Sequence, residues 1–206
     1  MKNQTLLTIS RTLSYIMHPM LLPLYMAVLI LTLGAMPVAI TGRGVWYVLR
    51  VIVADTVIVP VVSIALLRWT GRIPDFSLSS RRSRVIPLAV VVICYGCCGW
   101  IFAELPSLFI LRKALFAAAA ATAVDFVVNF FWQISLHLTG WGAAVAVIWV
   151  LVYAGYSQLV VPLAAMVLLS GFLASARLYM GKHTPLQVAV GFAVGFAVAL
   201  TVFLLA

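Results

Sequence analysis

Acidic residues are scarce in this chain of 206. Asp55, Asp75, Glu104 and Asp125 are all it has, against thirteen lysines and arginines. A two-metal hydrolytic centre needs several carboxylates in one place, and four scattered singly do not supply them. Three histidines without a carboxylate cluster argue against a zinc site in the same way, so no metal and no other cofactor is expected. Cysteine is sparse too. Cys94, Cys97 and Cys98 lie in the apolar run "VVICYGCCGW", where the C-x-x-C spacing has no further ligand nearby. They read as small packing residues. Charge of any sign is what the chain lacks most: 8% of residues are charged and 66% hydrophobic, with a mean hydropathy of +1.21. A soluble domain runs near a quarter charged, so this composition belongs in lipid.

Hydrophobic runs are what the chain has instead. Residues 21–40 carry no charge and suffice alone to cross a hydrocarbon core. Lipid tolerates only backbone that is hydrogen-bonded internally, and the runs are long rather than alternating, so the spans are helices. Seven segments are expected, at about 20–41, 45–67, 85–104, 113–133, 138–154, 157–176 and 185–206. A different cut of the fourth and fifth would reduce the count to six. The fold class is therefore an all-α polytopic transmembrane bundle, a single membrane domain over residues 1–206. Residues 1–19 do not read as a cleaved signal peptide, because the apolar run after them is too long. Leu6, Ile9, Leu13 and Ile16 recur at helical spacing, which predicts an N-terminal helix lying in the headgroup layer. His18-Pro19 then marks the turn into the first span.

The formal charge of +9 fits basic loops meeting anionic headgroups, and no nucleic acid is needed to explain it. "LRKALFAAAAATAV" and the G-x-x-x-G of Gly191 and Gly195 read as surfaces for close helix contact. Asp55 and Asp125 sit inside spans, where interhelical hydrogen bonding is the simplest use for them. The helix partners within reach are Arg50, poorly placed five residues before Asp55, and Asn129, four after Asp125.

Polar residues gather in three places: "RWTGRIPDFSLSSRRSRVIP", "WQISLHLTGWG" and "SARLYMGKHTPLQVAVG". Each follows an even-numbered span, so parity puts all three on one membrane face. In the last of them, Thr184 followed by Pro185 and Gln187 is a helix start with a T-x-x-Q capping box. His183 stands just before it, where the helix dipole favours an anion and a neutral imidazole. His183, His137, Arg177 and the Arg81, Arg82, Arg84 cluster share that face. Two imidazoles with several guanidiniums suit metal-free phosphoryl transfer, one ring attacking phosphorus and the other protonating the leaving oxygen.

At these residues the chain resembles the type 2 phosphatidic acid phosphatase superfamily, whose motifs run roughly K-x6-R-P, P-S-G-H and S-R-x5-H-x3-D. The third is matched by Arg177 and His183, the second by Ser135, Leu136 and His137, and the first loosely by Arg81, Arg84 and Pro87, with Ser77 where the lysine would fall. The resemblance covers residues 68–206 and looks like a divergent bacterial branch with G-x-H-T-P-x-Q. It implies a metal-independent hydrolase of lipid phosphates or lipid pyrophosphates in a bacterial cytoplasmic membrane. His183 would be the nucleophile, His137 the general acid, and Arg177, Arg84, Arg81, Ser135 and Lys182 the phosphate ligands. Gln187 stands where the family has the aspartate that orients the nucleophile, Ala176 replaces the serine before the arginine, and Ile134 and Leu136 flank Ser135. A glutamine oxygen can hold an imidazole N–H but cannot neutralise a positive ring, and in a comparable pair that loss is worth about 10⁴ in rate.

Two other functions stay open: a relative that binds or moves lipid phosphates without cleaving them, and an unrelated transporter with loops basic by topology. The side of the membrane is open as well. Lys2, Arg11, Arg68, Arg72, Arg81, Arg82, Arg84, Arg177 and Lys182 on the motif face outnumber Arg43, Arg112 and Lys113 opposite, which predicts a cytoplasmic motif face. The resemblance implies the outer face.

Overall fold

The computed structural model describes residues 3–36, 40–73 and 80–205. Lys2, Asp75 and Ser77 lie outside the described residues. Among those described there are helices and no strands, and seven stretches are long and apolar enough to cross a membrane. The chain is an all-α polytopic membrane protein.

The first span differs from the expectation. Asn3 caps helix α1 (Gln4–Ile16) by accepting from the Thr5 and Leu6 N–H groups. The chain breaks at His18, held extended before Pro19, and α2 (Leu22–Thr32) follows a single 3₁₀ turn. At 1.5 Å per residue, the eleven residues of α2 rise only about 16 Å, half of a hydrocarbon core. With α1 before it, the stretch Gln4–Thr32 is long and apolar enough to cross a membrane. Along α1 the buried residues are Ser10 and Ser14, while Leu6, Ile9 and Ile16 are exposed. The apolar stripe therefore faces outward and the small polar stripe faces the bundle, the arrangement lipid favours. Periodicity alone does not say which medium an apolar stripe meets. The base of α1 is tied to the end of another helix by Asn3 N–H to the Tyr179 hydroxyl at 2.9 Å.

Helices α3 (Gly42–Val53) and α4 (Val59–Trp69) form the second span around a π-turn, Ala54–Ile58. Pro60 has no N–H to return to the preceding turn, so the ladder widens there. The third span is α5 (Arg81–Ile101), capped by Ser80 and carrying Pro87 inside it. The fourth is Pro106–Val128, made of a 3₁₀ turn and α6 (Phe109–Val128). It starts earlier than expected because Arg112 and Lys113 are absorbed by the helix. Arg112 donates to the Ala103 carbonyl at 3.1 Å and Lys113 to the Phe203 carbonyl at 3.3 Å, so both cations snorkel along its first turns.

Helix α7 (Leu136–Tyr153) is the central post, with Ala146 and Ile148 fully buried. A turn at Gly155, φ 99°, separates it from α8 (Val160–Tyr179), and α9 (Pro185–Leu205) closes the bundle. Helices α7 and α9 touch backbone to backbone. A Cβ on Gly142 would collide with the Phe192 carbonyl, and one on Gly195 with the Thr139 carbonyl. The small-residue spacing is thus helix contact, as its pattern predicted.

Candidate functional site

Four segments converge at one end of the bundle: the start of α5, the start of α7, the α8–α9 turn, and the break between α1 and α2. They enclose a cavity of about 200 Å³ whose polar end is lined by His18, Arg84, Asp125, His137, Arg177 and His183. Below this end the walls are apolar, among them Met26 from α2, Leu88 and Val91 from α5, Ala118 from α6, and Ala144 from α7.

The α8–α9 turn brings Arg177 and His183 together. Lys182 N–H bonds the Arg177 carbonyl at 3.2 Å and Gly181 N–H bonds the Leu178 carbonyl at 2.9 Å, with Gly181 at φ 67°. This is a Schellman cap, which reverses the chain at the cost of one left-handed residue. Past it, Gln187 N–H donates to Thr184 Oγ1 at 3.3 Å and Gln187 Oε1 accepts Thr184 N–H at 3.0 Å, the expected capping box. The same Oε1 lies 3.3 Å from His183 Nδ1. A backbone N–H can only donate, so the amide oxygen is the atom at that position, and Nδ1 must carry the proton. Nε2 is then the ring nitrogen with a free lone pair. His183 is buried, and its pKa is pushed down to about 4. Burial is the largest cause, followed by the Arg177 and Arg84 charges; the Gln187 bond opposes the shift and Lys182 adds slightly to it.

His137 is fixed from the other side. Its Nε2 lies 3.1 Å from the Ser14 carbonyl, an acceptor, so Nε2 is protonated and Nδ1 is the free position. Arg177 reaches the cavity with its Nε buried and without a hydrogen-bond partner. Arg84 is buried and interacts electrostatically with Asp125, whose Oδ1 accepts from Thr139 Oγ1 at 3.0 Å. Asp125 thus bonds across helices, to Thr139 on α7 rather than to Asn129, whose amide goes to the Arg81 carbonyl at 2.8 Å. Asp55 sits in the π-turn, with Oδ2 buried and unbonded.

Five expected site residues therefore meet: His183, His137, Arg177 and Arg84 line the cavity, and Gln187 holds His183. Three do not reach it. Arg81 is exposed and donates to the Phe130 and Phe131 carbonyls at 3.3 and 2.7 Å, because the end of α6 has open carbonyls and a guanidinium within reach closes them. Lys182 is exposed at the Schellman turn. Ser135 is fully buried at the start of α7, its Oγ unbonded and its N–H 3.4 Å from the Gln187 carbonyl; it ties α7 to α9 behind the cavity wall. Among the described residues no three His, Cys, Asp or Glu side chains are placed to hold a metal ion.

His18 is a site residue that sequence reasoning misses. A histidine just before proline, within a long apolar segment, is the signal available, and by itself it reads as turn chemistry alone. Comparison of the chain with family models, with curated proteins and with solved structures finds no match in any of the three.

Proposed function

We propose that the chain is a lipid-phosphate phosphatase of the type 2 phosphatidic acid phosphatase kind, in a bacterial cytoplasmic membrane, acting on a phosphomonoester or pyrophosphate of a lipid. The observation that carries the reading is the cavity itself. Two guanidiniums and three imidazoles line one end together with the Asp125 carboxyl, which lies by Arg84 and Thr139, and apolar side chains line the rest. A tetrahedral anion on a hydrocarbon tail has the chemistry that such a space accepts.

In the reaction so read, Arg84 and Arg177 hold the non-bridging phosphate oxygens. His183 Nε2 attacks phosphorus, and its N–P bond forms as the P–O bond to the lipid breaks. The substrate enters as a monoanion, whose proton passes to His137 Nδ1 and from there to the leaving alkoxide. Water then attacks the phosphohistidine, gives its proton back through His137, and releases phosphate and free His183. Gln187 keeps the His183 proton on Nδ1 throughout.

Gln187 also favours a second reading, a protein that binds lipid phosphates without cleaving them. An amide beside His183 suits a neutral ligand better than a ring that must become positive. Trapping separates the two. With a ³²P-labelled lipid phosphate, the full-length protein should form an acid-labile phosphoadduct that is absent from His183→Ala. Protein that binds the lipid yet yields neither adduct nor free phosphate would establish the second reading.

A further inference from the structure

We infer that His18 is a third functional imidazole of the cavity, donating its Nε2–H to a phosphate oxygen of the ligand. The inference rests on the phosphate reading of the site and adds a residue from outside the region that carries the family resemblance.

The tautomer follows from one bond. His18 Nδ1 accepts the Met20 N–H at 3.3 Å, so a neutral ring carries its proton on Nε2. Of the three rings, His137 gives its Nε2–H to Ser14 and His183 turns its Nδ1–H to Gln187. His18 Nε2 has no such acceptor among the described residues, and the ring lines the same cavity as Arg177 and His183, within electrostatic reach of Arg177. A neutral imidazole in this state is a donor to developing negative charge.

The ring is also held in place. Three side chains from the bundle grip the backbone on either side of it: His137 at the Ser14 carbonyl, Trp141 Nε1 at the Met17 carbonyl at 3.1 Å, and the Tyr95 hydroxyl at the Pro19 carbonyl at 3.4 Å. The His18 ring itself meets His137 edge to face, with centroids 5.2 Å apart. Donors fixed in this way need no reorganisation when charge develops. Capping does not account for the residue, since Ser, Asp or Asn would cap the Pro19–Leu21 turn better than histidine.

The test uses dodecyl phosphate and the full-length protein in detergent micelles, with binding and turnover measured separately. His18→Asn retains an acceptor for the Met20 N–H but is too short to reach the Nε2 position; His18→Gln places an amide N–H near it. The expected results are unchanged thermal unfolding for His18→Asn, a loss in kcat of about 10²–10³, and recovery of at least about tenfold of that loss in His18→Gln. If the wild-type protein binds dodecyl phosphate but never releases phosphate, hydrolysis is refuted and His18 is judged by affinity, where His18→Asn should weaken binding about tenfold. In ¹⁵N spectra of the wild-type protein, which do not depend on any variant folding, the protonated His18 Nε2 should shift when dodecyl phosphate is added. Wild-type kcat and affinity in folded His18→Asn, or an Nε2 resonance that does not move, would overturn the inference.

Discussion

The Gln187 side chain does two jobs with one oxygen, and each would be done differently by another residue. Oε1 takes the Thr184 N–H at 3.0 Å and faces His183 Nδ1 at 3.3 Å. Gln187→Glu keeps the length and the capping box and puts a carboxylate where a positive ring would form. We expect turnover of a lipid phosphate to rise at least tenfold, out of the roughly 10⁴ that such a carboxylate can be worth; steady-state phosphate release measures it, and an unchanged rate would mean that ring charge does not limit the reaction. The protonation state of His183 is the second residue-scale consequence. Its native pKa, about 4, is below the ordinary 6.5, so the unfolded chain binds more protons between those values. The contribution to stability is complete above pH 6.5 and is lost as pH falls through 4. The groups that act on the ring are Arg177, Arg84, Gln187, the exposed Lys182 and, across the cavity, His137. An NMR titration of the His183 ring should give a midpoint near 4, moving upward in Arg177→Met; a midpoint of 6.5 in the wild type would show the ring to be solvated and unpaired with that charge.

At the scale of elements, the decisive contact is between α7 and α9. Gly142 and Gly195 let the two backbones meet, and no side chain fits between Gly142 and the Phe192 carbonyl. Because rigid backbone is the obstacle, it cannot swing aside as a side-chain tip could. Gly142→Leu should lower stability by about 1–3 kcal/mol or more and reduce binding of the proposed phosphate ligand with it, since His137 lies in the first turn of α7 and α9 follows His183. Thermal unfolding in detergent checks this, and an unchanged midpoint would mean the helices are free to separate. By contrast, a methyl group on Gly171 would meet nothing within 4 Å, and Gly171→Ala serves as the neutral control.

For the whole molecule, the proposed lipid-phosphate ligand has the cavity as its place. Its polar end opens where the motif segments meet, and its apolar walls come from α2, α5, α6 and α7. Ala118 and Ala144 line that apolar part, so Ala118→Phe or Ala144→Phe should block a tail while leaving the headgroup site intact. The expected result is at least a tenfold fall in kcat/KM for dodecyl phosphate, with little change for a short, water-soluble phosphate ester; about 1.4 kcal/mol of lost tail burial is enough to produce it. Equal losses on both substrates would remove the tail from the cavity.

Composition and hydrophobic run length determined by themselves that the chain is helical, polytopic and embedded in lipid, because a bilayer accepts almost no other backbone. Spacing within single turns determined the Thr184–Gln187 cap and the adjacency of Arg177 and His183, since both lie inside a few residues of one another. Only the tertiary structure decided which of the basic residues share a cavity. Arg81 and Arg84 are three residues apart on α5, yet one closes the end of α6 and the other is buried, within electrostatic reach of Asp125. The entry of His18 was likewise out of reach, because it comes from the far end of the chain and is carried in by α1, whose apolar stripe faces away from the bundle. Local sequence carries helix period and capping chemistry; which faces meet depends on packing between helices distant in the chain.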